Sequence, residues 1–173
     1  MSNQNTFVYD LLARICDIER TISVVTPNAL VFAVKFAYPR WFEPIGNNAF
    51  PGFFNRAVRT SSAHVGRPIR KDVYRVTTRL VLGPAFAGYK GEYEDYGNML
   101  YTATINAFDA QQRLAAPLDP PNNLPLDFVE SAIVQANDNG IEGKIYDQNP
   151  QTTYMVIDIP IDITANLQVY RQS

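Results

Sequence analysis

Two stretches alternate apolar and polar residues so regularly that they must be β-strands, and they dictate what the rest of the chain has to cover. In residues 73–82, Tyr74, Val76, Leu80 and Leu82 fall on one face with Thr78 among them, while Arg75, Thr77 and Arg79 fall on the other beside Val73 and Val81. In residues 154–163, Met155, Ile157, Ile159, Ile161 and Ile163 face one way, and Tyr154, Val156, Asp158, Pro160 and Asp162 the other. A period of two gives each strand one core face and one polar face. Pro160 removes a ladder donor, which predicts that the last strand lies at an edge or carries a bulge.

Two helices supply the cover. Val8, Leu11, Leu12, Ile15 and Ile18 recur at helical spacing behind Asn5 or Thr6 as N-cap, and predict a helix over 7–20 with Asp10, Arg14, Asp17 and Arg20 on its outer face. A longer helix is predicted over 92–114, opened by Glu92, Glu94 and Asp95 at the positive end of its dipole and closed near Arg113. Tyr93, Tyr96, Leu100, Ala103, Ala107, Ala110 and Leu114 form its apolar seam, and Tyr101, Ile105 and Phe108 a second stripe. Such a helix lies on a sheet and also touches a neighbouring element or subunit; Tyr93, Tyr96 and Tyr101 are its expected packing residues near an interface.

Further strands are predicted over 30–38 and 52–58. A hairpin is predicted from strands at 128–136 and 141–146 around the Asn137–Gly140 turn. Residues 59–72 read as a long polar loop, and 116–125, with four prolines in ten residues, as a stiff connector. The expected fold is one α+β domain spanning 1–173: a mixed or antiparallel sheet with an N-terminal helix and a long central helix packed on it. At 173 residues the chain is long enough for one hydrophobic core.

Few residues suit enzyme chemistry. The single histidine, His64, reads as a surface-loop residue, and the single cysteine, Cys16, as a small buried hydrophobe. Neither a phosphate-binding loop nor a dinucleotide fingerprint occurs: Gly83, Gly88 and Gly91 follow a strand and precede a helix at the wrong spacing. No catalytic residue, metal ligand or cofactor site is expected. The start MSNQNTF lacks a signal-peptide pattern, and no apolar run approaches the roughly 18 residues of a membrane span, so residence in a reducing cytoplasm without membrane contact is expected.

Charge is distributed unevenly. Residues 1–91 carry 12 Lys/Arg against 5 Asp/Glu and residues 92–173 carry 3 against 12, so a net charge of -2 hides halves of +7 and -9. Complementary faces of this kind steer the encounter of copies arranged head to tail. Arg56, Arg59, Arg67, Arg70 and Lys71 gather in one basic segment with no acid before Asp72. Three readings stand for it: a solvated loop, contact with an acidic partner or subunit, and contact with a phosphate backbone. Arg75 and Arg79 recur at a spacing of four, as do Asp158 and Asp162, so the four charges could form a ladder that fixes register, if the two strands pair or meet across subunits.

The amphipathic first helix, DVYRVTTRLVLGP, the helix GEYEDYGNMLYTATINAFDAQQRL and a closing strand pair together resemble the tail terminator and tail completion proteins of long-tailed bacteriophages; residues 49–114 carry most of the likeness. The resemblance implies a non-enzymatic virion structural protein of the tail-neck region, assembled in the host cytoplasm as a hexameric ring. It also implies that the ring caps the tail tube protein, joins it to head-neck connector proteins, and lets DNA pass its lumen without sequence-specific contact. The basic segment would then reach the tube or lumen. Alternatives are another neck, head-closure or tail-tube subunit and, from a different class, a small soluble ligand-binding domain or enzyme.

Overall fold

The two alternating strands become the two longest strands and pair along almost their whole length. In the computed structural model, residues 4–40, 50–65, 69–84, 90–114, 128–135, 142–145 and 153–168 are described. Their order is α1 (Gln4–Glu19), β1 (Ser23–Val25), β2 (Val31–Ala33), β3 (Phe36–Tyr38), β4 (Gly52–His64), β5 (Ile69–Pro84), α2 (Lys90–Asp109), β6 (Val129–Val134), β7 (Glu142–Ile145) and β8 (Thr153–Gln168). The main sheet runs β3-β4-β5-β8-β6, with β7 also on β8; β3 is parallel to β4 and the other pairings are antiparallel. The chain is therefore a single α+β domain with a mixed sheet.

β5 and β8 share a register from Ile69↔Gln168 to Pro84↔Tyr154, shifted once between Val81 and Gly83. Their apolar faces point the same way. Tyr74, Val76, Leu80, Ile157, Ile159, Ile161 and Ile163 join Leu11, Leu12, Ile15, Leu100 and Phe108 of the helices in the buried core. Both helices thus cover one face of the sheet. The opposite face carries Arg56, Lys71, Arg75, Arg79, Asp158 and Asp162 and, at one end, a smaller buried cluster of Phe36, Phe54, Val81 and Val156.

Several expectations are corrected. Residues 59–72 are not a loop: β4 runs on to His64 and β5 begins at Ile69, paired from Ser61↔Val73 to His64↔Arg70 after a bulge between Arg59 and Ser61. Thr60, Ser61 and Ser62 lack an apolar face, so no alternation marks the strand, yet β5 holds them because it is itself anchored by β8. Arg67 lies outside the described residues. The expected strand over 30–38 is split: β2 pairs with β1 in a two-stranded sheet, and β3 with β4. The expected hairpin of residues 128–136 and 141–146 does not form, since β6 and β7 each pair with β8, at Ile161–Ala165 and Thr153–Val156. The Asn137–Gly140 turn and the 116–125 connector lie outside the described residues.

Pro160 is not on an edge strand, because β8 sits between β5 and β6. The amide of Gln135 donates to the Pro160 carbonyl at 2.8 Å, so Pro160 turns its backbone polar side toward β6 and β7. β6 pairing has ended at Ile161 and β7 pairing starts at Val156. The missing donor thus falls in the gap between two partner strands, where no ladder bond is lost.

α2 ends at Asp109 rather than near 114. Tertiary bonds take the place of its last turn: Arg14 donates to the Leu114 carbonyl at 2.9 Å and the Ala132 amide to the Gln112 carbonyl at 2.6 Å. Its buried stripe is Tyr96, Leu100, Thr104 and Phe108, so Phe108 belongs to the core face and Ala110 is exposed. At the other end, Tyr96 and Tyr93 donate to the carbonyls of Leu82 and Pro84 at 2.8 and 2.6 Å. Gly83 lies beneath them at φ +150°, and a Cβ there would stand 2.8 Å from the Tyr93 hydroxyl. Both the backbone and the tyrosine require glycine. Gly83→Ala should therefore cost about 1–3 kcal/mol in urea unfolding; unchanged stability would show that this tether does not hold α2.

Candidate functional site

The two halves of the charge split meet along the polar face at the β5–β8 seam. On that face β4 and β5 carry Arg56, Lys71, Arg75 and Arg79, with Arg59, Arg70 and Asp72 on the opposite side by register, whereas β6 and β8 carry Glu130, Asp158 and Asp162 and no cation. Arg79 grips Asp158 through two bonds of 2.6 and 2.7 Å, and Arg75 grips Asp162 through two of 2.8 and 2.9 Å. These are cross-strand partners, Arg79↔Asp158 and Arg75↔Asp162. The expected ladder therefore exists within one chain. The two pairs differ in setting: the Arg79 side chain is 12% exposed and the Arg75 side chain 52%, so the inner pair is better shielded from water. The hydrogen bond and charge of Asp162 push Arg75 further above its ordinary range.

The basic segment is largely neutralised from within. Asp72, its side chain fully buried, accepts from Arg70 Nε at 3.1 Å and from the Tyr74 hydroxyl at 3.3 Å; Arg70 Nη2 lies at 2.8 Å. Burial pushes the Asp72 carboxyl up, but hydrogen bonds from Ser62 and Arg70 and the charge of Arg70 outweigh it and hold the group below the usual aspartate range. Lys71 pairs with Glu130 at 2.7 Å. Arg59 stands 3.9 Å from Asp72 and half exposed, and Arg56 is exposed. Of the described cations in this segment, Arg56 and Arg59 at the β4 margin are the ones left facing water.

A second cluster lies buried under α1. Asn55, between Phe53 and Ala57 on the inward face of β4, directs Nδ2 at Glu19 Oε2 (2.7 Å), the Tyr38 carbonyl (3.3 Å) and Cys16 Sγ (3.5 Å). Thr78 commits its hydroxyl proton to Asn55 Oδ1 at 2.8 Å, and Glu19 Oε1 has no hydrogen-bond partner among the described residues. Burial pushes the Glu19 carboxyl up to about 8, against the smaller opposing pulls of the Asn55 bond and the Arg20 charge. Burial likewise pushes up the Cys16 thiol, which is inert by position. Glu19, Asn55 and Thr78 are all fully buried, so the cluster pins α1 to the sheet and offers no surface to a substrate.

Sequence reasoning missed Glu19 and Asn55, although both carry a signal. Glu19 continues the Leu12–Ile15–Cys16 stripe at helical spacing, and Asn55 alternates in phase with Phe53 and Ala57. Tyr93, Tyr96 and Tyr101 all pack inside the chain, with Tyr96 stacked on Phe32 at 4.4 Å. Among the described residues, no group of three or more His, Cys, Asp or Glu gathers as a metal site, and no helix is long and apolar enough to cross a membrane.

Fold and sites together define a two-layer α+β domain with an ion-paired polar sheet face. Neither a scan of protein-family models nor a search of curated proteins returns a match.

Removing one partner from the shielded pair should hurt most. Arg79→Ala is expected to cost about 1–3 kcal/mol in urea unfolding and Arg75→Ala distinctly less; equal losses would place both pairs in the same environment. The folded chain keeps a proton on Glu19 that the unfolded chain releases between about 4.5 and 8, so this group lowers stability progressively as pH rises through that window. Glu19→Gln should flatten that slope and be the more stable form at pH 8 in denaturant titrations. A pH slope unchanged by the substitution would mean that Glu19 is already charged in the fold at neutral pH.

Proposed function

We propose that this chain is a non-enzymatic structural protein that forms a ring, most similar in role to the tail terminators of long-tailed phages, capping a tail tube and meeting the neck. The observation that carries the reading is the layout of the sheet. One face is covered by helices, while the other carries, beyond the apolar cluster at one end, basic residues on β4–β5 and acidic ones on β8–β6. Much of that charge is already matched inside the chain. What remains for other molecules is the β4 margin at Arg56 and Arg59, so contact with the tail tube would be centred there rather than spread over the whole basic segment. The buried Glu19 cluster favours no enzymatic alternative, because its polar atoms are sealed from solvent.

The test is the mass of the purified chain in solution at physiological and at high salt, with negative-stain images of the same fractions. The reading predicts a uniform closed ring, or a monomer that rings only on added tail tubes, and salt-sensitive assembly. Open filaments would favour a tube subunit. A salt-insensitive monomer that ignores tubes would refute the assembly role. Arg56→Glu should weaken attachment to added tail tubes with the monomer's unfolding midpoint unchanged.

A further inference from the structure

The β6 and β4 margins of the main sheet are finished differently. At the β6 margin, the Ala132 amide is taken by the Gln112 carbonyl and the Val129 carbonyl by Arg113 Nε at 3.4 Å. These two groups are taken by the residues that follow α2. At the β4 margin, β3 pairs only with Gly52–Phe54, and the Asn55 amide reaches the Arg40 carbonyl at 3.3 Å. Beyond Asn55, no described strand lies along β4 on this side, and residues 59–64 are exposed. Because the Asn55 amide points outward, alternation turns the backbone polar groups of Ala57 and Arg59 outward as well. A strand edge with no described strand beside it is a template for another strand.

We infer that the β4 edge from Arg56 to Arg59 is a docking site for an extended, acidic polypeptide segment of another protein, added to the sheet as an antiparallel strand. Three features define the ligand. The outward amides and carbonyls of Ala57 and Arg59 require alternating donors and acceptors, which a peptide backbone has and a phosphate backbone lacks. Arg56 points to the polar sheet face and Arg59 to the other, because their partners on β5 are Thr77 and Tyr74; each calls for a carboxylate on the incoming strand. Val58, 48% exposed beside Arg56 on the polar face, calls for an apolar residue. Read antiparallel, the complementary pattern is acid, apolar, any residue, acid. Two β4 edges would oppose like charges, so the edge does not suit pairing with its own copy. The site does not depend on ring formation, since a monomer presents it equally.

The experiment titrates the full chain into a labelled peptide with the core Glu-Val-Thr-Glu and follows anisotropy, with a scrambled peptide of the same composition as control. Ala57→Pro removes an outward donor without touching a β4–β5 bond, and Arg56→Glu with Arg59→Glu reverses the charge; circular dichroism and unfolding midpoints check that each variant folds. The site predicts that the scrambled peptide binds more weakly and that each variant weakens binding by about tenfold or more. Binding lost only on charge reversal, with Ala57→Pro and the scrambled peptide unaffected, would reduce the site to a diffuse cationic surface and overturn strand addition. No binding by the parent chain would overturn it as well, as would saturation of the edge by self-association. Failure of the ring would leave the peptide result standing, so the two readings fail separately.

Discussion

Everything in this fold hangs on the pairing of β5 with β8. Each is 16 residues long, far longer than an ordinary strand, and their apolar faces together make the floor on which both helices lie. β5 in turn carries β4, and β8 carries both β6 and β7. A slip of one residue between them would turn every inward isoleucine of β8 toward solvent. The cross-strand pairs Arg79–Asp158 and Arg75–Asp162 act against such a slip from the other face, because a slip would separate both at once.

This gives the charge asymmetry a meaning that composition alone did not. A chain with a basic first half and an acidic second half resembles a component waiting for copies of itself. Here the sheet order brings the last strand of the first half against the last strand of the second, so opposite charges meet inside one molecule. Asp72 and Glu130 absorb Arg70 and Lys71 in the same way. The residual cations Arg56 and Arg59 sit at the β4 margin, beside which no strand is described beyond Asn55.

What could be read from the sequence was whatever had an unbroken period. The alternation in 73–82 and 154–163 and the helical stripe of α1 were legible because each buries a full apolar face. The Arg75, Arg79, Asp158 and Asp162 ladder followed from that alternation. The ribbon of residues 59–64 was not legible, since a strand polar on both faces looks like a loop unless its neighbour is known. The positions of β6 and β7 depend on the length of β8, which no local pattern in 128–146 contains. Glu19 and Asn55 were hidden by their chemistry: each sits in phase with apolar neighbours, but a polar residue is read as surface until a partner is seen across the core.

The claim that β5 and β8 form the frame is tested most directly by native-state hydrogen exchange. The account predicts that amides in the centre of β5 and β8 exchange only through global unfolding, with β4 beyond the Arg59 bulge, β6 and the ends of both helices opening at lower free energy. Helix amides protected to the global limit while the β5–β8 ladder exchanges by local opening would contradict it.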